Sequence, residues 1–97
     1  MQPVKRIEIV CGARGVPAVC AALEAAGLSG WTVVPDVHGK GERGLQSGDE
    51  LTDVFSNSLV LTTCPASDLD RVVAAIRPLL ARHGGVCLVS DAQWVIH

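Results

Sequence analysis

A long stretch without apolar periodicity, residues 38–56, divides this chain into two halves. Each half carries the same order of patterns, a strand, then a helix, then a strand. Few small folds accommodate two such units joined by a long loop. Loops of this length are uncommon in compact domains and usually carry function. We therefore expect one domain over residues 1–97, with its functional segment in the loop.

The first half combines an alternating strand with an amphipathic helix. Residues 4–11 alternate between apolar and polar side chains, as a half-buried strand does. Pro17 suits the first turn of a helix, where its missing N–H costs nothing. Gly27 follows the last helical positions, as a C-terminal capping glycine would. A second strand, rich in β-branched residues, is predicted over residues 30–37.

The second half repeats the pattern with a stronger helical period. Strands are predicted over residues 57–64 and 86–91, and residues 92–97 form a short tail with the capacity to add an edge strand. Pro78 lies inside the predicted helix, so we expect a kink or a weakened last turn there. The apolar positions at helical spacing are Leu69, Val72, Val73, Ile76, Leu79 and Leu80.

This order of elements predicts an α+β fold of the split, ferredoxin-like type, βαββαβ. Right-handed crossovers place both helices on one face of a four-stranded antiparallel sheet. The other face then has no cover within one chain, although 48% of all residues are apolar. We therefore expect an oligomer that buries this face.

Composition excludes several classes of function. The formal net charge is −2, and aromatic residues make up only 3% of the chain, so neither a basic surface nor stacking platforms for nucleic acid are expected. No apolar run approaches the length of a membrane span. The four cysteines have no spacing typical of metal ligands, and we interpret them as reduced thiols in a cytoplasmic protein. The cysteines are Cys11, Cys20, Cys64 and Cys87.

Glycines beside strand ends are the candidate anion sites. Gly39, Lys40 and Gly41 follow the second strand, where backbone N–H groups and a lysine could face an anion. Gly84 and Gly85 precede the fourth strand and could equally serve as a helix terminus. The two glycine segments could meet across a subunit boundary.

Further polar residues are weaker candidates. Arg43 could join Lys40 in an anion clamp, although a solvated loop would look the same. Hydroxyls of Thr32 and Thr63 lie on strands, where threonine is also ordinary. Arg14 before a glycine resembles the anion loop of acylphosphatases, whose reaction also needs an asparagine to orient water, and Asn57 is the only asparagine.

Taken together, these segments resemble the PII signalling superfamily. The matching segments are Gly27 to Val33, Gly39-Lys40-Gly41, the long loop that the family calls the T-loop, the strand ending at Cys64-Pro65, and Gly84-Gly85 before the last strand. The resemblance implies a cytoplasmic, non-enzymatic homotrimer for signal transduction. Adenine nucleotides would bind in its three inter-subunit clefts, and the T-loop, about residues 38–56, would switch to grip or release a partner protein.

The resemblance also implies roles for individual residues. Thr32 and the backbone near Thr63 would line the adenine and ribose. The rest of the nucleotide site would be formed by Gly39, Lys40 and Gly41 at the root of the T-loop, and by Gly84, Gly85 and Val86 across the cleft. His97 stands where the family has the first of its C-terminal phosphate-binding arginines.

Departures from the family pattern indicate a divergent member. Val86 replaces a phosphate-binding lysine, the chain has no tyrosine to modify, and Glu42 and Arg43 stand where a glutamine helps bind 2-oxoglutarate. The chain is similar to PII-like proteins associated with carboxysomes and bicarbonate transport. This similarity predicts a preference for ADP or AMP, and bicarbonate as co-effector near Lys40 and Arg43. The partner would be a bicarbonate transporter or a carboxysome-related protein.

Two alternatives stay open at this point. A trimeric divalent-cation-tolerance protein has the same architecture and would bind metal through Cys and His. An acylphosphatase-like hydrolase has the same fold class and would turn over acyl phosphates.

Overall fold

The computed structural model describes residues 1–39 and 57–97 of the chain. In chain order the elements are β1 (Gln2–Gly12), α1 (Val16–Ala25), β2 (Thr32–Val37), β3 (Asn57–Cys64), α2 (Leu69–His83) and β4 (Val86–Trp94). The four strands form one sheet in the order β2-β3-β1-β4, with every neighbouring pair antiparallel. The predicted ferredoxin-like arrangement is confirmed.

The core lies between one face of the sheet and the two helices. Side chains alternate along β1, so that Ile7 and Ile9 are fully buried on the helix side. Val60 of β3 lies beside Ile9 in the same layer. Helix α1 contributes Leu23 and helix α2 contributes Ile76 to this single cluster. Both helices therefore cover the same face of the sheet, as their apolar periods predict.

The end of α1 is closed by a Schellman motif. Gly27 N donates to Glu24 O (2.9 Å), and Leu28 N donates to Leu23 O (3.0 Å). Gly27 has φ = +95°, a conformation that glycine adopts without the penalty of a Cβ atom. Leu28 packs against the core from this turn. The sequence-based assignment of Gly27 as a capping glycine is confirmed.

Two strands are longer than the sequence predicts. Strand β1 begins at Gln2, and β4 continues to Trp94 because these end segments pair with each other. Pro3 is tolerated because β3 pairs with β1 only from Lys5 onward, so the side of Pro3 away from β4 needs no ladder donor. Residues 92–94 therefore extend β4, and no separate edge strand is present among the described tail residues.

Helix α2 continues beyond its internal proline. The helix runs past Pro78 to His83, and Gly84 N donates to Leu80 O (2.8 Å) to close its last turn. Pro78 therefore does not end the helix, and the predicted kink or weakening of the last turn stays a prediction. Packing of the apolar face of α2 on the sheet outweighs the one helical hydrogen bond that proline cannot make.

Gly85 lies unusually close to the backbone of β1. A Cβ atom at this position would stand 2.6 Å from Val10 O and 3.1 Å from a methyl group of Leu80. Gly85 also has φ = +120°, which side-chain-bearing residues rarely adopt. The neighbouring Gly84 has φ = +79°, yet nothing lies within 4 Å of its missing Cβ. Gly85 is thus required by the start of β4, and Gly84 by the helix terminus alone.

The face of the sheet opposite the helices is uncovered in the described chain. It carries exposed apolar side chains on both outer strands, including Val34 of β2 and Val86 and Leu88 of β4. Leu88 is 62% exposed. Strands β2 and β4 are also the two edges of the sheet. Neither helix in the described part of the chain is long and apolar enough to cross a membrane.

Candidate functional site

A cleft of about 640 Å³ opens where β2 begins and β3 ends. Residues 27–32 form one part of its wall, and residues 61–63 form another. Pro65, Asp68 and Trp94 complete the lining. The cleft thus combines the turn after α1, the ends of two strands and the turn before α2.

The wall formed by residues 27–32 is fixed from two sides. The Schellman motif holds it at Gly27, and the Thr62 hydroxyl donates to Gly30 O (2.7 Å). Thr62 is buried, so this hydrogen bond ties the turn to the core side of β3. Strand β2 begins at Thr32 and not at residue 30, because the segment before it forms this wall.

Arg71 of α2 joins the two helices beside the cleft. Its Nε donates to Ala26 O (2.9 Å) at the C-terminus of α1, where a cation also favours the helix dipole. Its guanidinium pairs with the Asp68 carboxylate, with 3.3 Å between nitrogen and oxygen. Asp68 is therefore held in an ion pair at the edge of the cleft.

Two predicted nucleotide-binding residues, Thr32 and Thr63, meet in this cleft. The register places both on the sheet face opposite the helices, because Thr32 pairs with Leu61, which shares a face with Thr63. Neither hydroxyl is hydrogen-bonded to another residue within the described ranges 1–39 and 57–97. Both hydroxyls are available to a ligand.

The cleft carries little net charge, which suits the uncharged part of a ligand. Asp68 is the one ionic side chain among the described residues that line it, and Arg71 already neutralises that carboxylate. Trp31 and Leu61 add apolar surface. An apolar cleft with a few hydroxyls can hold a planar heterocycle and a sugar, and its described part offers no cation for a phosphate.

The predicted phosphate-side residues lie elsewhere in the same chain. Gly84, Gly85 and Val86 stand at the beginning of β4, and Val86 pairs with Val10 at the far edge of the sheet from β2. Three inter-strand spacings, roughly 14 Å in all, separate the two edges. Gly39 follows β2 at the same end of the sheet as Gly84. One chain therefore does not bring these glycines together with each other or with the cleft.

The other predicted site residues divide into two groups. His97 lies at the exposed C-terminus and does not line the cleft. Lys40, Gly41 and Arg43 lie outside the described residues, as does most of the predicted T-loop. Gly39 is described, and nothing lies within 4 Å of its missing Cβ atom. Nothing in the described chain thus requires glycine at position 39 on steric grounds.

Sequence reasoning does not assign Pro65, Asp68 or Trp94 to the cleft. From the sequence, Pro65 and Asp68 are expected only as parts of the turn before α2. Trp94 is expected in a tail, because its contact with the cleft depends on the pairing of Gln2 with Trp94 across β1 and β4. The one signal available is that tryptophan is rare in this chain, which has two.

The residues behind the two alternative functions also have defined positions. Asn57 pairs with Gly12, so it lies at the end of the sheet from which Arg14 follows. Within the described ranges, no group of three or more His, Cys, Asp or Glu side chains is placed to hold a metal ion.

Burial raises the pKa of the Cys11 thiol, and the nearby Cys20 raises it further. Burial also raises the pKa of Cys87.

The chain belongs to the P-II family, because the family model described as nitrogen regulatory protein P-II matches residues 4–96. No curated protein sequence is similar enough to this chain to count as a match. The fold described above agrees with this membership.

Solved structures of PII-like proteins share the fold. A structure of CPII, a nitrogen regulatory PII-like protein from Thiomonas intermedia K12, bound to ADP, AMP and bicarbonate, is 23% identical with a TM-score of 0.82, over 98% of this chain and 96% of that one. Another CPII structure, bound to ADP and bicarbonate, is 25% identical with a TM-score of 0.79, over 95% and 88%. A protein described as PII-like and signalling, from Thermus thermophilus, is 20% identical with a TM-score of 0.76, over 97% and 91%.

Proposed function

We propose that this protein is a PII-like regulator that binds adenine nucleotides in clefts between the subunits of a homotrimer. ADP or AMP is preferred to ATP, and bicarbonate is the co-effector. The T-loop, about residues 38–56, changes conformation and controls a partner such as a bicarbonate transporter or a carboxysome-related protein in the cytoplasm. The observation that carries this proposal is the separation of the site: Thr32 and Thr63 meet in one cleft, whereas Gly84 and Gly85 lie at the opposite sheet edge.

A ring of three copies would bring the glycine segments of neighbouring chains together. If the β4 edge of one subunit approaches the β2 edge of the next, Gly84 and Gly85 come near the Gly39 turn of the neighbour. Association of the three copies through the open sheet face would also bury its apolar side chains, among them Val34 and Leu88. Burial of apolar surface at about 25 cal/mol per Å² favours this association.

The chemistry of the cleft supports a nucleoside as the part of the ligand bound there. The free hydroxyls of Thr32 and Thr63 can donate to ring nitrogens or ribose oxygens. The CPII structures, which share the fold, contain ADP with AMP or bicarbonate. Both nucleotides contain an adenosine, which is the uncharged part that this cleft suits.

A weak phosphate side favours the shorter nucleotides. Val86 is exposed at the start of β4 and brings no charge, and His97 replaces the arginine of the family pattern. Each missing charge-assisted hydrogen bond is worth about 1.5–3 kcal/mol. The loss falls mainly on the γ-phosphate of ATP. Lys40 and Arg43 are proposed to bind bicarbonate at the T-loop root.

Calorimetry and native mass spectrometry test the proposal together. We expect a trimer that binds ADP and AMP at least as tightly as ATP, with affinity that depends on added bicarbonate. Thr63→Val should weaken AMP binding by about tenfold, because one hydrogen bond to the ligand is lost. Ser67→Ala removes an exposed hydroxyl outside the cleft and serves as the matched control.

Several results would contradict the proposal. A monomer, or a trimer that binds no adenine nucleotide, would exclude it. ATP favoured tenfold or more over ADP would contradict the phosphate argument alone. Unchanged bicarbonate dependence in Arg43→Ala would remove Arg43 from the anion site.

The same material also tests the alternatives. Divalent metals in place of nucleotides should give no thermal shift, whereas a metal-binding trimer would show one. Acetyl phosphate tests for a hydrolase, since Arg14 and Asn57 lie at the same end of the sheet. Hydrolysis that Arg14→Lys abolishes would favour the enzyme.

A further inference from the structure

Both tryptophans of this chain line the same cleft. Trp31 precedes β2, and Trp94 is the last residue of β4, so they come from segments at opposite edges of the sheet. The chain has no tyrosine, and its one phenylalanine, Phe55, lies outside the described residues. All the indole rings of the protein therefore meet one small volume beside Thr63.

The two indoles differ in what already covers them. Trp31 is partly buried and packs against the core, so its side chain contributes to folding. Trp94 is 52% exposed. The Trp94 indole N–H makes no hydrogen bond to any residue in the described part of the chain. Trp94 thus has both apolar surface and a donor that a ligand can use.

The register directs Trp94 toward the nucleoside half of the site. Trp94 pairs with Gln2, two steps from the pairing of Val4 with Ala92 and four from that of Arg6 with Ser90. Arg6 also pairs with Thr63 on its other side, so Trp94 and Thr63 share the open face of the sheet. The cleft between them is apolar and contains no described cation, which suits a base and not a phosphate.

We propose that Trp94 stacks on the base of the bound nucleotide and favours purine over pyrimidine nucleotides. The proposal rests on the function proposed above and adds a base-recognition residue to it. Every base has a π-face that an indole can cover, and the larger purine buries more area than a pyrimidine. Alanine substitution of one aromatic side chain that stacks on a base commonly lowers affinity about five- to 150-fold.

Calorimetry with matched ligands isolates the base. Trp94→Ala should weaken AMP binding by about tenfold or more, and Trp94→Phe should keep most of the affinity. The same Trp94→Ala variant should bind ribose 5-phosphate as the wild type does, because that ligand has no base. Ile96→Ala is the matched control, since Ile96 is an exposed apolar residue near the same chain end that does not line the cleft.

Fluorescence provides a second measurement that needs no loss of Trp94. In Trp31→Phe the only indole is Trp94, and AMP should quench its emission more strongly than CMP does. Native mass spectrometry of Trp94→Ala checks that the oligomer persists.

Each outcome has a defined consequence. If the wild type binds AMP and Trp94→Ala binds it within twofold, the stacking role is wrong and the proposed function stands. Equal losses for AMP and ribose 5-phosphate, or dissociation of the oligomer, would assign Trp94 to assembly and also overturn the role. If AMP leaves the emission of Trp94 unchanged, the stacking role is also wrong. A wild type that binds no AMP would overturn both proposals.

Discussion

Replacement of Gly85 by alanine tests how tightly the start of β4 is packed on β1. The added Cβ atom would stand 2.6 Å from Val10 O, and backbone atoms of a paired strand cannot rotate away as a side chain can. The contact at 3.1 Å with the Leu80 methyl group is easier to relieve, because that side chain can change rotamer.

The expected loss follows from two independent costs. Placing a Cβ atom in a left-handed backbone conformation costs about 1–2 kcal/mol. Overpacking against fixed neighbours costs typically about 1–3 kcal/mol more. We therefore expect Gly85→Ala to lower the free energy of unfolding by about 3–4 kcal/mol, a large share of the roughly 5–15 kcal/mol that holds a domain folded.

Thermal and urea denaturation at one fixed protein concentration measure this loss, since an oligomer is stabilised by mass action. Gly84→Ala is the first control, with a positive φ and free space, and should lose only the conformational cost of about 1–2 kcal/mol. Gly39→Ala is the second and should leave stability nearly unchanged. If Gly85→Ala proved no more harmful than Gly84→Ala, the close approach to Val10 would not limit this position.

Three further predictions concern other positions. Arg71→Met should lower stability by about 1–2 kcal/mol in urea denaturation, because Ala26 O loses its charged donor, and equal stability in Arg71→Lys would show that charge alone suffices. Asp36 has φ = +59°, so Asp36→Gly should raise the free energy of unfolding by about 0.5–1 kcal/mol and Asp36→Val should lower it by a similar amount. Equal urea midpoints for the two variants would contradict this backbone effect. The raised pKa of Cys11 means that the folded chain keeps a thiol proton that the unfolded chain loses, so stability should fall as the pH rises above about 8.5, and a flat urea midpoint up to about pH 9.5 would contradict this.

The fold was predictable because its signals are local and consistent. The periods of β1, α1 and α2 define one buried face each, and crossover handedness then leaves one arrangement. Boundaries failed where pairing partners lie far apart in sequence. Nothing near Trp94 indicates that Gln2 will extend β4. Similarly, the sequence predicts residues 30–31 to be part of a strand, but the hydrogen bond from Thr62 to Gly30 O holds them in the turn before β2.

The candidate site was predictable only in part. The positions of Thr32 and Thr63 came from resemblance, and their meeting in one cleft depends on the β2–β3 register. The glycine pair illustrates the opposite difficulty. From sequence, Gly85 could serve either a ligand or the fold, and its distance to Val10 shows that the fold alone already demands glycine there. Trp94 carried no positional motif, so only its place in the sheet revealed it.

The two outer strands, β2 and β4, also determine how assembly of this protein could go wrong. Contact between the β4 edge of one copy and the β2 edge of the next adds copies head to tail. Such a contact does not by itself limit how many copies join. Only the rotation from one copy to the next decides whether the series returns to its start or continues as a fibre. A substitution at the rim that tilts this rotation slightly, while preserving every contact, would therefore produce insoluble polymer in place of a small closed particle.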